Sequence, residues 1–139
     1  MPYKLKLAED AVLDEKQFVN AQGNTECVEF VRRVTCAPHT TLWCPGAHVF
    51  TAKPGSIPRG TAIATFDATF EKNGKYPTDA LGKHAAIYLS HNVEGILVLD
   101  QWNKRGRVTK RTIYINRPDV PRVDSAKQFF VIEEASPCI

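Results

Sequence analysis

The feature that most constrains this chain is a change of period near Gly60. Before it, Cys27, Phe30, Val31 and Val34 recur at i, i+3, i+4 and i+7, which is one face of a helix. Asn24 is placed to cap that helix, and Glu26 falls in the first turn, where the helix dipole favours an acid. Arg32 and Arg33 fall on other faces near the C-terminal end, where cations help. After Gly60 the pattern becomes a series of short segments rich in Ile, Val, Tyr and Phe. Thr61–Phe66, His84–Ser90, Ile96–Trp102, Val108–Asn116 and Gln128–Glu133 read as strands. The short connection from Ser90 to Gly95 makes the second and third an antiparallel hairpin, and Gly106 marks another. Residues 9–20 suit a short helix or an irregular lead-in. Helices first and antiparallel strands after is the α+β class, with N-terminal helices packed on one side of a sheet. A chain of 139 residues suits one domain with one core, spanning 1–139.

Two stretches resist this periodicity. Residues 36–60 carry Pro38, Pro45, Gly46, Pro54, Gly55, Pro58 and Gly60, and read as irregular with a short helix around Val49–Ala52. A loop of that length in a small domain is more often functional than idle. Asn73–Gly82 is rich in turn residues.

Composition narrows the function only loosely. Net charge is +3 and the isoelectric point about 8.7, a balance that favours anionic partners without choosing among them. The densest basic cluster is Lys104, Arg105, Arg107, Lys110 and Arg111, read either as a solvated hairpin loop or as a contact for an anionic substrate. Met1–Asp10 has no apolar leader core, and no stretch approaches the roughly 18 apolar residues of a membrane span. The expectation is a soluble chain that leaves the cell, if it does, without a cleaved leader. The four cysteines, Cys27, Cys36, Cys44 and Cys138, match no zinc pattern. If Cys27 is free, Cys36 can close a local disulfide with Cys44, or either can pair with Cys138. No Gly-rich phosphate loop is present, and neither a cofactor, a metal nor a nucleic-acid partner is expected.

The residues that carry chemistry are few. Cys27 sits in the first turn of its helix, where free N–H groups and the dipole favour a thiolate and can hold an oxyanion. The competing view is a buried core cysteine. His84 opens a strand beside small Ala85 and Ala86, which leave room for the helix to bring Cys27 close. Histidine is the usual base for a thiol. Asp100 closes the apolar run Gly95–Leu99 and lies on the strand paired with that of His84. With three or five residues in the hairpin loop, His84 and Asp100 share a face and the acid can fix the imidazole tautomer. With the other parity Gln101 takes its place, and otherwise Asp100 is a strand end that meets water. Trp102 follows and can line the cleft. Gln101 and Trp102 are the expected substrate contacts. His39 is a weak competitor, and His48 and His91 suit surface loops.

On these residues the sequence resembles a known group. Glu26-Cys27-Val28-Glu29-Phe30-Val31, Gly82-Lys83-His84-Ala85-Ala86-Ile87-Tyr88 and Val98-Leu99-Asp100-Gln101-Trp102 are similar to blocks of the type VI secretion amidase effectors of family 2 and their domesticated animal relatives. That group belongs to the NlpC-like and CHAP-like branch of papain-type peptidases, and the likeness runs from about residue 18 to 133. It implies a papain-like α+β fold and hydrolysis of peptidoglycan stem peptides, particularly the bond between D-alanine and meso-diaminopimelate. It makes Cys27 the nucleophile, His84 the base and Asp100 the orienting residue. It also implies a secretion-system carrier, action in a target cell's periplasm, and a cognate immunity protein. The rival expectations are a Cys–His toxin acting on protein, such as a deamidase or transglutaminase-like enzyme, and a binding module without activity.

Overall fold

The protein is described from a computed structural model, which places residues 2–5, 16–66, 76–77, 83–115 and 126–134. Six strands form one sheet: β1 (Trp43–His48), β2 (Ala62–Thr65), β3 (Ala85–Asn92), β4 (Gly95–Asp100), β5 (Thr109–Tyr114) and β6 (Phe129–Glu134). Their spatial order is β1-β6-β2-β3-β4-β5, with every neighbouring pair antiparallel. The α+β expectation with an antiparallel sheet is met. Of the expected N-terminal helices, however, the described residues hold a single α-helix, α1 (Cys27–Thr35). Residues 9–15 of the possible earlier helix lie outside the described residues. Residues 16–20 have no regular structure and run against the β4–β5 connection, where Val108 N–H bonds to the Lys16 carbonyl at 2.8 Å. Among the described residues no helix is long and apolar enough to cross a membrane.

The period-2 and period-3.6 patterns explain how the layers stack. Phe30, Val31 and Val34 of α1 are buried against Ala85, Ile87, Leu89 and Leu99, the odd-numbered side chains of β3 and β4. Each fully buried side chain of this size contributes about 1.5–3 kcal/mol, so the helix is held by its apolar stripe and not by propensity. The even-numbered side chains, Ala86, Tyr88, Ile96 and Val98, face the other way, into a second cluster with Val49, Ile57, Ile113 and Phe129. The helix ends at Cys36, whose left-handed backbone (φ 62°) lets its N–H reach the Arg32 carbonyl.

The Pro/Gly-rich stretch is more ordered than its composition suggests. It contains a 3₁₀ turn at Thr40–Leu42 and the whole of β1. Pro45 is accommodated because β1 is an edge strand of the described sheet, the position where proline is tolerated. Gly46 is needed because a Cβ there would lie 2.5 Å from the Glu133 Cγ of the neighbouring strand. The expected helix at Val49–Ala52 is only a turn closed by Ala52 N–H on the His48 and Val49 carbonyls. Cys36 and Cys27 are free thiols while Cys44 is disulfide-bonded, so the local Cys36–Cys44 bridge is not made. The alternative ends on Cys138, outside the described residues.

The hairpin from β3 to β4 sets the site. Only Val93 and Glu94 lie between the strands, and Asn92, His91 and Ser90 pair with Gly95, Ile96 and Leu97. That tight turn by itself gives the parity that separates His84 from Asp100. A β-bulge at Leu89 then shifts the register, so that Tyr88 pairs with Val98 and Ile87 with Leu99. The extra residue, rather than a loop of three or five, puts His84 and Asp100 on one face.

Candidate active site

Cys27 is delivered by a pinned helix N-terminus. The Asn20 side chain closes the preceding turn by accepting from Gln22 N–H at 3.0 Å and Asn24 N–H at 2.9 Å. Asn24 is thereby occupied outside the helix, and the residue at the N-cap is Glu26, with extended backbone and no side-chain cap bond. The Thr25 hydroxyl reaches the Trp102 carbonyl at 3.3 Å. Gln101 completes the anchor: its amide donates to the Phe18 carbonyl at 2.7 Å and the Glu26 carbonyl at 2.8 Å, and its oxygen accepts from Phe18 N–H at 3.2 Å. Gln101 is fully buried and is not part of the cleft wall. It ties the lead-in and α1 to the end of β4, which differs from the expected substrate contact.

The end of the sheet supplies the rest. Asp100 is fully buried and its Oδ2 lies 2.7 Å from His84 Nε2. With Nε2 so engaged, Nδ1 is the ring nitrogen left to serve the Cys27 thiol, which is near enough for each group to shift the other's charge. The arrangement is thiol, imidazole, carboxylate in series. Asp100 does not meet water. The Arg111 guanidinium donates to both its oxygens, at 3.2 and 2.9 Å from Nε, and Arg105 approaches from 3.5 Å. These two arginines also stack on the Trp102 ring, at 3.6 Å for Arg105 and 4.8 Å for Arg111. Part of the basic cluster that read as a solvated loop is therefore turned inward to hold the acid.

Charge follows from this geometry. Burial raises the Cys27 pKa, but the His84 charge and hydrogen bonds from His84, Ala85 N–H and Tyr76 outweigh it, leaving the thiol below its ordinary 9.0. Burial lowers the His84 pKa, yet the Cys27 charge and the Asp100 hydrogen bond dominate and lift it from 6.5 to about 9. Burial likewise opposes ionisation of Asp100, and the His84 and Arg111 contacts reverse it, holding the carboxyl below 3.8. Both shifts favour the thiolate–imidazolium form of the pair.

Cys27, His84, Trp102 and Arg111 open on a cleft of about 810 Å³. Lys83 and Lys104 add positive charge to its rim, and Glu26 and Glu29 add negative charge. The Pro-rich stretch contributes His39 and Thr40, with the His39 ring capping its 3₁₀ turn through Thr41 N–H. His48 binds Thr51 and the Lys127 carbonyl. His91 is not a surface residue: it is buried between the Tyr88 hydroxyl at 2.6 Å and the Ala52 carbonyl. Among the described residues no His, Cys, Asp and Glu group could hold a metal.

Tyr76 was not singled out by sequence, and Arg111 was named only as part of the basic cluster. Tyr76 places its hydroxyl 3.9 Å from Cys27 Sγ, from a segment that read only as turn-rich. Arg111 had a usable signal: Thr109, Arg111 and Ile113 share a face of β5, and Asp100 pairs with Thr109.

Comparison with known proteins agrees with this fold. The type VI secretion amidase effector 2 protein of Salmonella typhi is 37% identical over 116 residues, covering 81% of this chain and 79% of its own. The domesticated amidase effector 2 of Ixodes scapularis is 39% identical over 111 residues, covering 78% and 70% respectively. The solved structure of type 6 secretion amidase effector 2 superposes with a TM-score of 0.76 at 28% identity, covering 92% of this chain and 93% of that one. The model of the domesticated amidase effector 2 family matches residues 8–132, nearly the whole chain, and the protein belongs to that family.

Proposed function

We propose that this protein is a papain-like cysteine amidase that hydrolyses peptidoglycan stem peptides. The observation that carries the reading is the Cys27–His84–Asp100 series at the floor of an open cleft. The amidase effectors it resembles support the substrate class. The Cys27 thiolate attacks the stem-peptide carbonyl, and N–H groups of the α1 N-terminus, including that of Cys27, receive the oxyanion. His84 gives its proton to the leaving amine, and then takes one from the water that releases the thioester. Asp100 holds the imidazole in register and balances its charge. The bond cut is that between D-alanine and meso-diaminopimelate in the cross-link. The protein acts as an antibacterial effector, carried by a secretion system into a target cell's periplasm. A cognate immunity protein blocks the cleft in the producer.

Digestion of purified Gram-negative sacculi tests this reading. Mass analysis is expected to show cross-linked dimers converted to monomers, each cut adding one water and freeing a D-alanine carboxylate. Intact sacculi, with deamidation or cross-linking of an added protein instead, would favour the protein-directed toxin.

The pH profile has a definite shape. The reactive form needs Cys27 deprotonated and His84 protonated. The kcat/KM therefore rises as pH climbs through the lowered Cys27 pKa, and falls as pH climbs through about 9, where His84 loses its proton. An alkaline limb near 6.5, the ordinary histidine value, would contradict the ion pair.

A further inference from the structure

We propose that Tyr76 is a catalytic residue, its hydroxyl being the second donor to the oxyanion that forms on the carbonyl attacked by Cys27. The inference rests on the hydrolase reading above and adds a group to it. Tyr76 lines the same cleft as Cys27 and His84, with Oη 3.9 Å from Cys27 Sγ. The oxygen of a tetrahedral adduct is two bonds from the sulfur, so it lies nearer to Sγ than the hydroxyl does. A donor must sit about 2.7–3.1 Å from that oxygen, and a hydroxyl at the outer limit of hydrogen-bonding distance from the sulfur is placed to meet it.

The ring is held for this task. Trp43 packs on it edge-on at 5.1 Å between centroids, and Phe66 at 6.4 Å. These walls fix the direction of the hydroxyl, so it need not reorganise as charge develops. The charged neighbours that bear on it are Cys27 and Glu26. Burial first, and then the Cys27 charge, keep the phenol protonated well above its usual range. It is thus a donor throughout the working pH range. In the resting state that hydroxyl lies within reach of the Cys27 sulfur, which is the group about to be consumed.

The step balances without a proton leaving the tyrosine. The sulfur lone pair forms the S–C bond, and the carbonyl π pair moves to oxygen. The Tyr76 O–H and the Cys27 N–H hold that oxygen by hydrogen bonds. Collapse reforms the C=O and breaks the C–N bond, with the amine taking its proton from His84.

Tyr76→Phe removes one oxygen and keeps both ring contacts. Two rates are compared. Sacculus hydrolysis needs an oxyanion, whereas alkylation of Cys27 by iodoacetamide does not. The expected result is a fall in kcat of about 10²–10³ with KM little changed, and an alkylation rate within threefold of wild type. Hydrolysis within threefold of wild type overturns the proposal. So does a parallel loss of both rates, which would make Tyr76 a support for the thiolate or for packing. A second measurement needs no turnover. A peptide aldehyde adds to Cys27 to leave a thiohemiacetal oxygen in the same place, and is expected to bind the Phe variant at least about tenfold more weakly. Equal binding overturns the assignment. Retained hydrolysis in Cys27→Ala would instead remove the cysteine-nucleophile reading on which the proposal rests, so the two failures are separable.

Discussion

Cys27→Ala is expected to lower kcat for stem-peptide hydrolysis by about 10⁵–10⁶-fold, because removing the nucleophile of a coupled pair removes nearly all that the pair does. Folding should survive. Cys27 is only half-buried, at the first helical position, and alanine is at least as good a helix former. Sacculus binding should survive too, since Trp102, Lys83 and Lys104 are untouched. Rates and sedimentation with sacculi measure both. Loss of binding together with turnover would mean that the substitution disturbed the cleft rather than the chemistry.

Asp100→Asn is expected to be nearly as damaging, by two routes. An amide cannot balance the imidazolium and can favour the wrong tautomer, an effect of about 10⁴ in kcat in comparable triads. It also leaves Arg111, and in part Arg105, without the anion they were folded around. Breaking a buried charged pair from one side costs about 3–5 kcal/mol. For a domain of this size that is a drop in Tm of about 10–20 °C. The alkaline limb of the pH profile should also move below about 9, because one of the contacts that raises the His84 pKa is lost. Calorimetry and the pH profile together measure these effects. An unchanged Tm would show that the Arg111 pairing is energetically idle.

What was legible in the sequence was whatever obeys a period. The face Cys27, Phe30, Val31, Val34 specified α1, and the β-branched runs located β2 to β6 to within about two residues. The pairing of His84 with Asp100 was legible only conditionally. Strand parity depends on the residue count around the hairpin, and a bulge at Leu89 adds one where no glycine or proline announces it. β1 was missed because Pro45 and Gly46 are strand breakers in the middle of a sheet yet fit an edge. Gln101 was misread for a different reason. An amide between an acid and a tryptophan at a strand end looks like a substrate contact until the chain that satisfies it, Phe18 and Glu26, is seen to pass by. Asn24 is not the cap because the helix begins at Cys27 and leaves Asn24 in the preceding turn, its N–H bound by the Asn20 side chain.

The relation between Cys27 and His84 carries the whole account, and differential alkylation addresses it most directly. The native protein is treated briefly with iodoacetamide at neutral pH and mapped by mass spectrometry. Cys36 is the exposed free thiol and Cys27 the half-buried one. Access alone therefore predicts Cys36 first. A thiolate held by His84 predicts the reverse, with Cys27 labelled first in the wild type and losing that advantage in His84→Ala. Faster labelling of Cys36 in the wild-type protein, unaffected by the loss of His84, would contradict the account.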